Sequence, residues 1–341
     1  MASTHGKPTV ALAMGDPAGI SAELAAKLLA LEEVRAAARL IVVGDKRVFD
    51  RGAAVAGVAL DLPVVAPGEE GAASDAGRFV DLGHLDPDTI RPAAPSAEGG
   101  RFALANFRYA LRLAADGRAD AVCFMPFNKQ AMKLAHPPYE DEISYSAEIV
   151  GASGAASEFN ILGELWNARV TSHVPLAAVA GLITVERVLS GLVLTDRSMR
   201  AAGFARPRIA VAGLNPHAGE GGNFGREEID VIAPAVAQAQ AAGIAAEGPF
   251  PSDTVFLRAR GGDFDAVLTM YHDQGQIAMK LMGFDRGVTL LGGFPFAIVT
   301  PAHGTAYDIA GRGVARVGAA REALLLAASM ASRRSAAAQG R

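Results

Sequence analysis

Short apolar runs recur along the chain, each closed by a polar or glycine-rich turn and followed by a segment with helical spacing. Val10 to Met14 reads as a buried strand, closed by the turn Gly15-Asp16-Pro17-Ala18-Gly19. A helix is expected from about Ser21 to Ala38, with Leu24, Leu28 and Leu31 on one face. Leu40 to Val43 is then the next strand, ending at Gly44-Asp45. Strand, helix, strand with short links is a βαβ unit and implies a parallel sheet. The first turn is glycine-rich but lacks the G-x-G-x-x-G spacing, so a Rossmann dinucleotide fingerprint is absent.

The same pattern continues. Asp61 to Pro95, rich in Pro, Gly and Asp, reads as short strands and loops. A helix over Glu98 to Asp116 offers Phe102, Ala105 and Leu113 to a core, and Ala121 to Met125 is a strand that would close a first domain. Strands are expected near Phe159 to Leu162, Arg169 to Ser172 and after Arg208, and helices over Val185 to Ala202 and Glu227 to Ala242. The last third holds a helix or loop at Val255, a strand leading to His272, a short strand near Phe296 to Val299 and a helix from about Arg316. The polar, Ala-rich tail from Ser332 to Arg341 is expected to fray.

Three of these strands finish alike, in Val170-Thr171-Ser172-His173, in Gly213-Leu214-Asn215-Pro216-His217 and in Tyr271-His272-Asp273-Gln274-Gly275. Ligands of open α/β sheets bind beyond the carboxyl ends of strands. Three histidines placed there could converge on one divalent metal, although spacings of 44 and 55 residues make no local metal motif. Asp273 is then either a further ligand or the partner that fixes the imidazole tautomer. Lys280 holds a substrate anion or delivers a proton, or is an ordinary surface lysine. Asp253, after Pro251-Ser252, is either functional or a helix N-cap. The run Gly219 to Gly225 is a loop hinge or admits a phosphate to backbone N–H groups. His5, His84 and His136 lie in loops and read as solvated.

Composition narrows the class without naming the chemistry. The 341 residues suffice for two domains, half are apolar, and the net charge of −4 gives no footprint for nucleic acid. No apolar stretch approaches the length of a bilayer span, and Met1 to Pro8 lacks the features of a signal peptide. With the single cysteine, Cys123, these features make the cytoplasm the expected location. Between Lys133 and Arg169 there is no Lys or Arg, while six carboxylates occur, densest at Tyr139-Glu140-Asp141-Glu142.

Four segments together carry a resemblance. Gly15-Asp16-Pro17-Ala18-Gly19-Ile20, the run Gly213 to Gly222, Tyr271-His272-Asp273-Gln274-Gly275 and His303-Gly304-Thr305-Ala306 resemble signatures of the 4-hydroxythreonine-4-phosphate dehydrogenase (PdxA) family. Matches run in order from residue 10 to about 318. That family is similar, more distantly, to the metal-dependent β-decarboxylating dehydrogenases of isocitrate and isopropylmalate. The resemblance implies an α/β fold of two α/β/α domains with parallel or mixed sheets and a cleft between them. The expected domains are 1–130 with 300–341, carrying the nucleotide loop, and 131–299, carrying the metal site and the dimer contacts.

By the same resemblance, His173, His217 and His272 match the metal ligands, for Zn²⁺, Mg²⁺, Mn²⁺ or Co²⁺. NAD or NADP is expected against His303, Gly304, Thr305, Ala306 and Asp308, with Gly219, Gly221 and Gly222 as a further contact. Lys280, Ser144 and Thr289 match substrate-binding positions, and Lys280, Asp253 and Asp273 are the candidates for catalytic roles. A homodimer is implied, its metal site completed across the interface, with neither nucleic acid nor membrane as a partner. The implied reaction is oxidation of a secondary alcohol in a small hydroxy acid, then loss of carbon dioxide.

The chain departs from the family where the phosphorylated substrate is held. A histidine and a threonine are replaced by Ile143 and Ser144, and an asparagine and an arginine by Thr289 and Ile298. Phosphate favours Arg and backbone donors, so these changes lead us to expect a non-phosphorylated hydroxy or dihydrodiol carboxylate. The alternatives are 4-hydroxythreonine-4-phosphate dehydrogenase with a rearranged anion pocket, and a catalytically idle metabolite-binding protein.

Overall fold

The structure, a computed structural model, describes residues 6–71 and 77–339. His5 lies outside them, as do residues 72–76 of the Asp61–Pro95 stretch and the last two residues of the tail. The first strands in chain order are β1 (Thr9–Ala13), β2 (Arg39–Gly44), β3 (Val64–Val65), β4 (Arg78–Asp81), β5 (Ala121–Phe124) and β6 (Ser157–Leu162). They are followed by β7 (Leu165–Arg169), β8 (Ile209–Ala212), β9 (Ala246–Phe250), β10 (Ala266–Thr269), β11 (Val288–Gly292) and β12 (Ala297–Pro301).

The chain divides into two compact units, Met1–Ser153 with Phe294–Arg341, and Gly154–Gly293. The division is discontinuous and falls later than residue 130 and earlier than residue 300. Gly100 explains the first shift. It sits in the helix Ala97–Ala115, and a Cβ there would collide with the carbonyl of Ala131, so the helix Lys129–Ala135 lies directly against it. Tyr145 of the next helix, Glu142–Val150, stacks on Phe107 and accepts a hydrogen bond from Arg108 at 3.2 Å. Ser144 therefore belongs to the first unit.

In that first unit the strand order is β3-β4-β2-β1-β5-β12, every pairing parallel. The central strands β2, β1, β5 and β12 are buried at nearly every position, as in a sheet covered on both faces, which is why they read as continuous apolar runs rather than alternating ones. The helix expected over Ser21–Ala38 is two, Ser21–Ala30 and Glu32–Ala37, because Leu31 adopts an extended conformation. Arg35 Nη1 donates to the carbonyl of Leu29 at 2.6 Å, satisfying a group that the break would strand. The terminal helix runs over Gly318–Gln339, so the Ala-rich tail is helical as far as Gln339 where fraying was expected. Alanine has the highest helix propensity, and Ala320, Leu324, Ala327 and Ala331 are buried.

His84 is exposed, as expected, while its ring stacks on Phe102 with centroids 4.9 Å apart and partial desolvation lowers its pKa. His136 ends its helix and meets the Tyr145 ring edge-on. Among the described residues, no single helix is long and apolar enough to cross a membrane.

The second unit carries a mixed sheet, ordered β11-β6-β7-β10-β8-β9. β11, β6 and β7 are antiparallel neighbours, and β7, β10, β8 and β9 run parallel. Here β10 lies between β7 and β8. The carboxyl ends of these three parallel strands are therefore adjacent, and they are the strands that precede His272, His173 and His217.

Candidate active site

Each histidine leaves its strand differently. β7 ends at Arg169, four residues short of His173, not at Ser172 as expected. The chain still follows its neighbour: Val170 N donates to the Thr269 carbonyl at 2.9 Å and Thr171 N to that of Met270 at 3.1 Å. Then His173 turns away with φ 49°. His217 has φ 52° and opens a run of positive φ through Gly221. Such angles are strained for residues with a Cβ and collect at functional sites. His272 instead starts the helix His272–Gly283.

His173 and His272 come together, ring centroids 5.6 Å apart and tilted by 39°. Two imidazoles on one tetrahedral ion, with metal–nitrogen bonds of about 2.0–2.1 Å, would hold their centroids about 5 Å apart. The observed pair fits that arrangement. Asp273 Oδ1 lies 2.6 Å from His272 Nδ1, which leaves Nε2 free to ligate. His217 lies instead beside Phe224, with centroids 6.2 Å apart. Among the described residues no three His, Cys, Asp or Glu side chains are grouped for a metal.

The neighbours of these histidines have structural tasks that the sequence did not reveal. Gln274 Nε2 donates to the Gly213 carbonyl at 2.8 Å, and its Oε1 accepts from Met270 N at 2.7 Å. Gly275 lets the helix close on β7, since a Cβ there would collide with the Asn167 side chain. Glu228, 2% exposed, accepts from the amides of Leu214 and Asn215, both at 2.7 Å. It opens a π-helical turn, Glu228–Ile232, at the start of the expected Glu227–Ala242 helix.

Lys280 is exposed on the helix that His272 begins and has no ion-pair partner among the described residues. Asp253 is exposed in the first turn of the helix Ser252–Arg260; it is not the N-cap, a place taken by Pro251. Thr289 lies on β11 within 3.5 Å of Asn160 Nδ2. Asn160 Oδ1 accepts from Arg169 Nη1 at 2.6 Å and Gln276 Nε2 at 2.5 Å. Arg169, 5% exposed, is paired with Glu158 and donates to Ser172 Oγ at 3.0 Å, bracing the turn before His173. Burial lowers its pKa against the opposing pull of Glu158.

The candidate nucleotide loop is in the first unit. Ala306 has φ 44°, and Thr305, 8% exposed, accepts from Ile20 N through its carbonyl at 3.1 Å. A Cβ on Gly19 would lie 2.5 Å from that carbonyl, so the motif Gly15–Ile20 and the motif His303–Ala306 form one packed surface. Tyr307 Oη donates to Asp16 Oδ2 at 2.5 Å, tying the two. Burial raises the pKa of Asp16, opposed by the hydrogen bonds from Tyr307 and Ala18. His303 Nδ1 lies 3.1 Å from the Gly304 carbonyl, and Gly304 and Asp308 are exposed.

Two positions expected to line an anion pocket part company. Ser144 is exposed on the helix Glu142–Val150, its amide donating to Asp141 Oδ1 at 2.7 Å, with half-buried Ile143 beside it. Ile298 is 0% exposed on β12, paired with Val122 of β5. It is a core residue and lines no pocket, so its place in the alignment says nothing about the substrate.

A family model described as "Pyridoxal phosphate biosynthetic protein PdxA" matches residues 36–327. The chain belongs to this family. One PdxA-family relative, "Putative 4-hydroxythreonine-4-phosphate dehydrogenase 2" of Rhizobium meliloti (strain 1021), is 58% identical over 97% of this chain and 95% of its own length. "Putative D-threonate 4-phosphate dehydrogenase" of Symbiobacterium thermophilum is 41% identical over 96% of this chain and 97% of its own. The crystal structure of 4-hydroxythreonine-4-phosphate dehydrogenase from Klebsiella pneumoniae superposes with a TM-score of 0.81 at 36% identity, covering 96% of this chain and 100% of that one. The chain is thus a dehydrogenase of the PdxA family with its α/β fold.

Proposed function

We propose that this PdxA-family dehydrogenase oxidises the secondary alcohol of a four-carbon acid bearing a terminal phosphate, with NAD or NADP as acceptor and a divalent metal. The class covers 4-phosphohydroxy-L-threonine and D-threonate 4-phosphate. The observation that carries the metal-dependent reading is the His173–His272 pair, oriented by Asp273, at the adjacent ends of β7 and β10. His217, in the loop that follows β8, the neighbour of β10, is the third ligand in this reading.

A divalent metal so bound supplies Lewis-acid stabilisation to negative charge developing on the substrate oxygen. The chain's own groups do the rest. Lys280, which has no ion-pair partner among the described residues, holds an anionic group of the substrate. Thr289 offers a hydroxyl group to it. The loop His303–Asp308, backed by Gly15–Ile20, receives the nucleotide. NAD or NADP held by that loop would supply hydride acceptance from the alcohol carbon, and the hydroxyl proton would pass to a base. Asp253 and Asp273 are the carboxylates proposed for proton handling. The β-keto acid formed then loses carbon dioxide.

The names of the relatives support a phosphorylated substrate. The sequence argument against phosphate weakens because Ile298 lies in the core; only Ile143 still speaks for a less polar pocket. A homodimer is part of this reading. Val174 and Leu176 follow His173 and are exposed, as are Ile277 and Leu281 on the helix that starts at His272. Exposed apolar residues around candidate ligands fit an interface that completes the site.

The test is metal removal. Chelator-treated protein should form no NADH from either phosphorylated acid until Zn²⁺, Mg²⁺, Mn²⁺ or Co²⁺ is restored, and His173→Ala should not recover. Full turnover without metal would refute the reading, and nucleotide binding with no turnover on any acid would favour an idle binding protein.

A further inference from the structure

We infer that Glu228 is the positioning residue for His217: its buried carboxylate holds the Gly213–Gly221 loop in the strained conformation that presents the imidazole. The inference rests on the metal reading proposed above. Glu228 Oε1 accepts from two consecutive backbone amides, those of Leu214 and Asn215, both at 2.7 Å. Its Oε2 accepts from Asn215 Nδ2 at 2.9 Å. Asn215 Nδ2 also reaches Glu227 Oε2 at 2.7 Å. A carboxylate that is 2% exposed and bonded to N–H groups fixes a loop more rigidly than apolar packing does, because leaving any of those groups unpaired is costly.

The loop is shaped around this carboxylate. A Cβ on Gly219 would come within 2.7 Å of Glu228 Oε2, and one on Gly213 within 3.1 Å of Oε1. Both glycines give the carboxylate room. From His217 to Gly221 every residue has positive φ, including the non-glycines His217, Ala218 and Glu220. Pro216, His217 and Glu220 are exposed, so burial of their side chains does not explain why this run keeps such angles. The π-helical turn that begins at Glu228 widens the helix where the carboxylate enters the loop.

The experiment uses the full chain, with Co²⁺ alone as the probe, and compares the parent with Glu228→Ala, Glu228→Gln and His217→Ala. Partners of ligating residues set metal affinity by about 10–100-fold. Glu228→Ala should therefore weaken Co²⁺ binding at least about 10-fold. Amide exchange at Leu214 and Asn215 should speed up without general loss of protection. Glu228→Gln keeps a carbonyl acceptor for those amides and should recover most of the affinity; it also serves if Glu228→Ala does not fold, with faster exchange at Leu214 and Asn215 as its signature. If His217→Ala loses Co²⁺ and Glu228→Ala does not, the positioning role is wrong and the metal reading stands. Parental affinity in His217→Ala overturns both. Unchanged exchange and affinity in Glu228→Gln, where it is the only folded variant, overturns the positioning role.

Discussion

The side chain of Gln274 reaches the main chain of Gly213, its Nε2 donating to that carbonyl at 2.8 Å. Two sequence motifs far apart in the chain are fastened by this bond, one leading to His217 and one beginning at His272. The other end of the amide accepts from Met270 N at 2.7 Å, so Gln274 is fixed at both ends. It spaces the carboxyl ends of β8 and β10.

Replacing Gln274 by Ala leaves the Met270 amide and the Gly213 carbonyl without these partners. A loss of about 1–3 kcal/mol in unfolding free energy is expected from denaturant titration. Co²⁺ affinity should fall with it. A variant as stable as the parent would mean that water replaces the amide at no cost and that the bond does not set the spacing.

At the opposite ends of the same strands, Asp265 takes Arg208 in a two-pronged pair, Nη2 to Oδ1 at 2.7 Å and Nε to Oδ2 at 3.1 Å, and also accepts from Arg208 N at 2.8 Å. Partial burial would raise the carboxyl pKa, but these hydrogen bonds outweigh it and hold it below its ordinary value of 3.8. A group with a lowered folded pKa stabilises the fold above the unfolded value and loses that contribution as pH falls through the folded value. Asp265→Asn should therefore cost about 1 kcal/mol at pH 7. The difference from the parent should stay level down to about pH 5 and close below 3.8. A gap that widens in acid would contradict the sign.

The nucleotide loop makes a separate claim. Nothing within 4 Å of a Cβ at Gly304 belongs to the protein, so Gly304→Val should fold normally. Its side chain would stand on the exposed surface proposed for the nucleotide, and the NAD⁺ dissociation constant should rise at least about 10-fold, equivalent to about 1.4 kcal/mol. Equal affinity by calorimetry would move the nucleotide elsewhere.

Much of this architecture could be read from local signals. Val10 to Ala13 and Ala121 to Phe124 are buried at nearly every position, so unbroken apolar runs marked them. The strand-end rule singled out His173, His217 and His272; the order β7-β10-β8 makes the ends of their strands neighbours, and of the three only His173 and His272 stand ring to ring, with His217 beside Phe224. What stayed hidden depends on contacts across long stretches of chain. Nothing around Glu228 in the sequence distinguishes it from an exposed helix-start glutamate. Gln274 read as a chemical group and is a fastening. Ile298 read as a pocket wall because an aligned position carries no information on depth. The domain boundary was placed too early because the close approach of Gly100 to Ala131 joins helices that look separable in sequence.

The central claim concerns the substrate, and kcat/KM measured with NAD⁺, NADP⁺ and saturating metal tests it most directly. The comparison is among 4-phosphohydroxy-L-threonine, D-threonate 4-phosphate, unphosphorylated D-threonate and a cis-dihydrodiol carboxylate. A value of about 10⁴ M⁻¹s⁻¹ or more is expected for at least one phosphorylated acid. Removing the phosphate should lower it by about 100-fold, a loss of about 2.7 kcal/mol of transition-state stabilisation. Equal or faster turnover of D-threonate or the dihydrodiol carboxylate would contradict the account and return the site to a non-phosphorylated substrate.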